Sequence, residues 1–213
     1  MDRLEREPFR KLLERNRVLP AVKDEAGLKK ALVAPHDILF VLFGDILTLD
    51  DTVTSILKSG KMPFIHLDMI NGLANNPVVL EYFYRQYQRE CGVITTKSHM
   101  AKKALELGIR VVQRYFMLDS LSVESAVDGI SKVRPDAIEI MPGIIPRVIT
   151  HIGRQTNVPV IAGGLIQAPH DIDKILASGA IAVSVSRSEL WPLHDGSLAR
   201  QGKAAEPFAK IGS

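Results

Sequence analysis

The segment Val158-Pro159-Val160-Ile161-Ala162-Gly163-Gly164-Leu165 and its continuation Ile181-Ala182-Val183-Ser184-Val185-Ser186 decide the fold. Each is a short apolar run ending in small or polar residues, with Asp171 and Gly179 bounding a helical segment between them. A run that is apolar at nearly every position suits a strand buried on both faces, which occurs in parallel sheets covered by helices. Read outward toward the N-terminus, the same unit repeats. Strands are predicted over 19–22, 38–43, 64–69, 92–95, 110–114, 137–141, 158–161 and 181–184. Asp50/Asp51, Ser98, Ser120 and Asp171 are read as helix N-caps, and Gly60, Gly108 and Gly179 as helix ends. Eight βα units predict a single-domain (β/α)8 TIM-type barrel of the α/β class. The competing doubly wound sheet lacks its Gly-x-Gly-x-x-Gly opening after any strand. Residues 1–17 read as a charged preliminary helix, 18–194 as the barrel and 195–213 as a tail.

Composition agrees with one aliphatic core: 213 residues, 46% hydrophobic, only 6% aromatic. A net charge of +3 and a pI of about 9.0 permit an anionic partner without requiring one. The lone Cys91 excludes an internal disulfide and is expected to be a small buried side chain. No apolar run reaches bilayer length and the start carries no secretory pattern, so a cytoplasmic location without membrane association is expected.

In a barrel, chemistry sits where the strands end and their loops begin. Gly163 and Gly164 let backbone approach a ligand closely, and Ser184 and Ser186 add hydroxyl and amide donors; together they are predicted to bind a phosphate. Lys97 and Arg114 are expected to carry the ligand's negative charge, while Asp68 and Glu139 accept from its hydroxyls. The competing reading, compatible with the first, is an ion-pair network closing the barrel mouth, for instance Lys97 with Glu139. Either way the ring describes a small phosphorylated polyol. His66 and Asp68 alternate onto one strand face, but nothing nearby completes a metal set, so His66 is expected to be a satisfied interior histidine and no metal is predicted. No nucleophile elbow, zincin helix or phosphate-binding P-loop occurs, and no cofactor is expected.

The segments 66–73, 94–99, 113–120, 135–143 and 161–166 together resemble the glycerol-3-phosphate-responsive antiterminator proteins, regulators of bacterial glycerol uptake operons. The likeness runs from about Leu19 to Trp191. It implies a barrel that binds glycerol 3-phosphate and, when liganded, acts on an mRNA leader to prevent premature termination of transcription. It also implies that Gly163, Gly164, Ser184 and Ser186 hold the phosphate, with Asp68, Lys97, Arg114 and Glu139 around the glycerol. The charged lead-in and an unusually aromatic helix over 78–90 depart from the family's pattern. In that helix Leu80, Phe83 and Tyr87 are predicted to be core, leaving Tyr82, Arg85 and Arg89 facing outward for RNA or for a homodimer contact. The N-terminal arginines, interspersed with glutamates, read as a solvated helix. The alternative function is an isomerase or transferase acting on a phosphorylated polyol, with Asp68 or Glu139 as base and Lys97 or Arg114 as electrostatic stabiliser.

Overall fold

The computed structural model describes residues 8–73 and 75–193. Residues 1–7 of the predicted lead-in and the predicted tail over 195–213 lie outside the described residues. Eight parallel strands close into a barrel in sequence order: β1 (Val18–Val22), β2 (Ile38–Val41), β3 (Met62–His66), β4 (Gly92–Thr95), β5 (Val111–Phe116), β6 (Ala137–Met141), β7 (Val160–Gly163) and β8 (Ala182–Val185). A first helix, α1 (Phe9–Arg15), precedes β1. The helices α2 (Glu25–Val33), α3 (Leu49–Lys58), α4 (Val78–Tyr87), α5 (Ser98–Glu106), α6 (Ser120–Val133), α7 (Pro146–Gln155) and α8 (Pro169–Ala177) follow β1 to β7 in turn. After β8 the chain makes a short 3-10 helix over Ser188–Leu193, pinned by Trp191 Nε1 donating to the Val185 carbonyl at 2.8 Å.

The helix ends fall where the glycines indicate: Gly60, Gly108 and Gly179 all take positive φ. The helix starts shift by a residue or more. Asp119, not Ser120, caps α6: its carboxylate accepts from Ser122 N at 2.8 Å, and Ser122 Oγ accepts from Asp119 N at 3.0 Å. Lys97 precedes α5, Thr48 precedes α3 with Asp50 and Asp51 in its first turn, and Asp171 reaches back from the third position of α8 to Gln167 N and Ala168 N. These acidic groups still serve the helix N-termini, from inside the first turn.

Two apolar layers hold the barrel. One lies between the strands and the surrounding helices. The other fills the interior, with Leu19, Phe40, Phe64, Ile94, Val112 and Ile161 among its members. Here α1 departs from expectation. Phe9, Leu12 and Leu13 are buried in that interior layer, and the Phe9 ring stacks on Phe64 with centroids 5.1 Å apart. Arg10 donates to the Asn157 carbonyl, and Arg15 and Asn16 bind Asp37, anchoring α1 across the N-terminal ends of β7 and β2. The helix is a plug on the barrel floor, with Arg10, Lys11, Glu14 and Arg15 on its solvated face as expected. Its spacing, apolar at i, i+3 and i+4, is the signal for that role.

Candidate functional site at the barrel mouth

Interior-facing residues alternate along each strand, so a polar layer sits directly above the apolar one. Phe64 is followed by His66, Val112 by Arg114, Ala137 by Glu139, Ile161 by Gly163 and Ala182 by Ser184. Register brings Arg114 beside Glu139 and Gly163 beside Ser184. Glu139 is fully buried and Arg114 is 5% exposed. Arg114 Nε donates to Glu139 Oε2 at 2.6 Å, and the Ser184 hydroxyl donates to Oε1. Both carboxylate oxygens are thus satisfied, which a buried ion pair needs if attraction is to offset desolvation. Gly163 is small because of this pair: a Cβ there would lie 2.6 Å from Glu139 Oε1 and would also collide with Ser184 Oγ. The terminal nitrogens of Arg114 make no hydrogen bond among the described residues. They are strong donors without a protein acceptor among the described residues.

A second group lies across the mouth. Asp68 sits in a 3-10 turn, Leu67–Met69, just past the end of β3 rather than within the strand. Its carboxylate accepts from Thr96 N at 2.7 Å, from Thr96 Oγ1 at 3.1 Å and from Thr95 Oγ1, with Lys97 Nζ at 3.6 Å. The ion pairs of the mouth are therefore Lys97 with Asp68 and Arg114 with Glu139, not Lys97 with Glu139. Lys97 lies two residues past the end of β4, and its amine reaches the β3 loop and not β6.

His66 also departs from expectation. It is buried as predicted but unsatisfied: its Nδ1 is enclosed with no hydrogen-bond partner, 3.8 Å from Asp68 Oδ2. Burial first, then the Arg114 charge, hold its pKa down at about 4 from an ordinary 6.5, with Asp68 and the residue's own backbone carbonyl opposing. The ring is neutral in the folded protein near pH 7. As pH falls from 6.5 to 4 the unfolded chain takes up a proton that the folded chain refuses. The site's contribution to stability is intact above pH 6.5 and lost by pH 4, a change of about 3 kcal/mol. Urea unfolding at about pH 7 and about pH 4.5 should show a smaller acid loss for His66→Phe than for the wild type. Equal losses would mean that the ring titrates as if in water.

The predicted phosphate residues are close together but unequal. Gly164 has φ +78° and Leu165 +60°, turning the chain sharply after β7. Gly143 N donates to the Gly163 carbonyl at 2.6 Å, tying the β6 loop over this turn. Ser184 is buried with its hydroxyl committed to Glu139, whereas Ser186, past the end of β8, is exposed. Asp171 already accepts from the amides of Gln167 and Ala168, just ahead of α8. Among the described residues no group of three or more His, Cys, Asp or Glu is placed to hold a metal. Cys91 is buried at the start of β4, away from the mouth, and burial pushes its thiol pKa up.

The family model for the glycerol-3-phosphate responsive antiterminator matches residues 18–191, the whole barrel. The chain belongs to this family. It is 34% identical over 186 residues to the uncharacterized protein YgcP of Escherichia coli (strain K12), covering 87% of this chain and 97% of that one. The glycerol uptake operon antiterminator regulatory protein of Listeria monocytogenes str. 4b F2365 superposes with a TM-score of 0.79 at 33% identity, covering 83% of this chain and 95% of its own. A glycerol uptake operon antiterminator-related protein from Thermotoga maritima MSB8 gives 0.74 at 28% identity, over 84% and 99%. Enzymes on the same barrel also superpose, at 11 to 17% identity, which shows the fold alone.

In this antiterminator-family chain the aromatic helix is shorter than expected. Leu80, Phe83 and Tyr87 are core as predicted, and Tyr87 donates its hydroxyl to Asp50 at 3.0 Å. Tyr82 and Arg85 are exposed on α4, with Tyr84 also half out. Gln88, however, takes φ +51° and ends the helix, so Arg89 lies beyond it and packs its guanidinium near Gly108. Tyr82, Arg85 and Arg89 do not form one helical stripe. No helix among the described residues is long and apolar enough to cross a membrane.

Proposed function

We propose that this protein is a cytoplasmic sensor of glycerol 3-phosphate that, when liganded, binds an mRNA leader and prevents premature termination of transcription of glycerol-use genes. Family membership over residues 18–191 supports the regulatory role. The observation that carries the ligand is Arg114: a buried guanidinium fixed through Nε, with its outer nitrogens unpaired, at the mouth of a barrel. Gly163, Gly164 and Ser186 offer the backbone and hydroxyl around it, and Lys97 adds charge from across the mouth. Both oxygens of Glu139 are engaged and Asp68 is held by Thr95, Thr96 and Lys97, which favours binding over general-base catalysis. The ligand acts by population shift, favouring a loop arrangement that binds RNA or orders a homodimer.

Calorimetric titration with sn-glycerol 3-phosphate, against glycerol and inorganic phosphate, tests the ligand. Binding well above both controls, with the ligand recovered unchanged, is the expected result. At about a hundredfold excess over Kd the ligand should stabilise the fold by about 2.7 kcal/mol. Gel-shift titration of the leader RNA with and without ligand tests the switch. Equal RNA affinity in both states overturns it.

A further inference from the structure

Resting on that ligand reading, we infer that His66 is a specificity-determining residue of the mouth, accepting a hydrogen bond through Nε2 from an alcohol hydroxyl of the bound phosphorylated polyol. Three observations place it there. His66 is the last residue of β3 and shares its inward face with Phe64, directly below the mouth. Its side chain is 3% exposed, and among the described residues neither ring nitrogen has a hydrogen-bond partner in another residue. Only Nδ1 is enclosed, against Asp68 at 3.8 Å; Nε2 is not enclosed.

A buried imidazole without partners forgoes hydrogen bonds it would make in water, and native interiors rarely leave such a group unexplained. The Asp68 carboxylate is itself fixed by Thr95 and Thr96, so it stays an acceptor facing Nδ1. An acceptor on that side favours the Nδ1–H tautomer and leaves the Nε2 lone pair toward the mouth. Burial and Arg114 keep the ring from protonating, so the lone pair persists at neutral pH.

The two groups then divide the ligand by chemistry. Arg114 offers only donors and takes the anionic end. Nε2 offers only a lone pair, which repels phosphate oxygens and carbonyl oxygens alike and welcomes an O–H donor. His66 therefore reads an alcohol against a ketone at the same carbon. A polyol phosphate is preferred over its oxidised ketone counterpart, which is equal in charge and nearly equal in size but has no O–H donor at that carbon.

The test is calorimetry on the full chain with sn-glycerol 3-phosphate and dihydroxyacetone phosphate, in wild type and His66→Phe. Wild type should prefer the alcohol by roughly tenfold to a hundredfold. In His66→Phe the alcohol should weaken by about that factor, while the ketone changes by less than about twofold. The 15N resonance of His66 Nε2 in wild type should move on saturation with the alcohol and not with the ketone, a readout that a merely structural ring would not give. Equal wild-type affinity for the two phosphates, or an unmoved Nε2 resonance with the alcohol bound, overturns the inference while leaving the ligand reading standing. Wild-type binding no better than inorganic phosphate overturns both.

Discussion

Glu139→Ala is expected to cost about 3–5 kcal/mol of stability, the largest effect of any single change at the mouth. The reason lies in what stays behind. Arg114 is 5% exposed and its Nε has Glu139 as its sole hydrogen-bond partner among the described residues. Without the carboxylate, a guanidinium that cannot lose its proton is stranded in the barrel, and the Ser184 hydroxyl loses its acceptor as well. Urea unfolding reads the loss, with a fall in Tm of about 2–4 °C per kcal/mol for a chain of this size. The double variant Arg114→Met/Glu139→Leu separates the charge from the packing. Removing both partners should recover most of the stability, because a buried pair gains little over apolar side chains of similar volume. It should at the same time abolish phosphate-ester binding. A single variant within about 1 kcal/mol of wild type would mean that the pair is hydrated, as surface pairs are.

That pair shows where the sequence is legible and where it is not. The barrel is readable because strands buried on both faces leave continuous apolar runs, and the eight runs are the eight strands. The limits are less clear, since such a run carries no alternation to mark which residue starts the inward face. β3 was expected to run on to Met69, yet it ends at His66, and β7 reaches Gly163 rather than stopping at Ile161. Arg114, Glu139, Asp68 and Lys97 are recognisable from position alone, as polar residues at strand ends. Their pairing is not, because it depends on the register between neighbouring strands and on side-chain reach. The roles of Ser184 and Gly163 follow from the same register: one is an internal donor to Glu139, the other the space that the carboxylate needs. His66 was legible as an interior residue. That it lacks partners is a property of the surrounding cage, which only three-dimensional placement shows.

Phe64→Ala is expected to cost about 3–5 kcal/mol and to loosen α1 before the barrel itself unfolds. Phe64 is fully buried at the centre of the interior layer, stacked on Phe9 below and in tilted contact with Phe40 at 5.7 Å. The neighbouring strand is built around it. Gly92, paired with Phe64 in register, has no room for a Cβ, which would lie 2.5 Å from ring Cδ1. Truncation therefore empties a space that Gly92 cannot refill, and the strands, fixed on both sides, cannot collapse into it. The cavity term is accordingly near the upper end of its range. Helix α1 has seven residues, too short to persist without tertiary contacts, and Phe9 is its first buried anchor. Hydrogen exchange should show amides of residues 9–15 losing protection in Phe64→Ala well ahead of those in β3 and β4. Phe9→Ala should reproduce that local loss with a smaller global cost, since it leaves the interior ring in place. Uniform loss of protection across α1 and the strands in both variants would mean that the plug and barrel open as one unit. Because the polar layer with His66 and Arg114 stands directly on this ring, ligand affinity should fall in Phe64→Ala and be retained in Phe9→Ala.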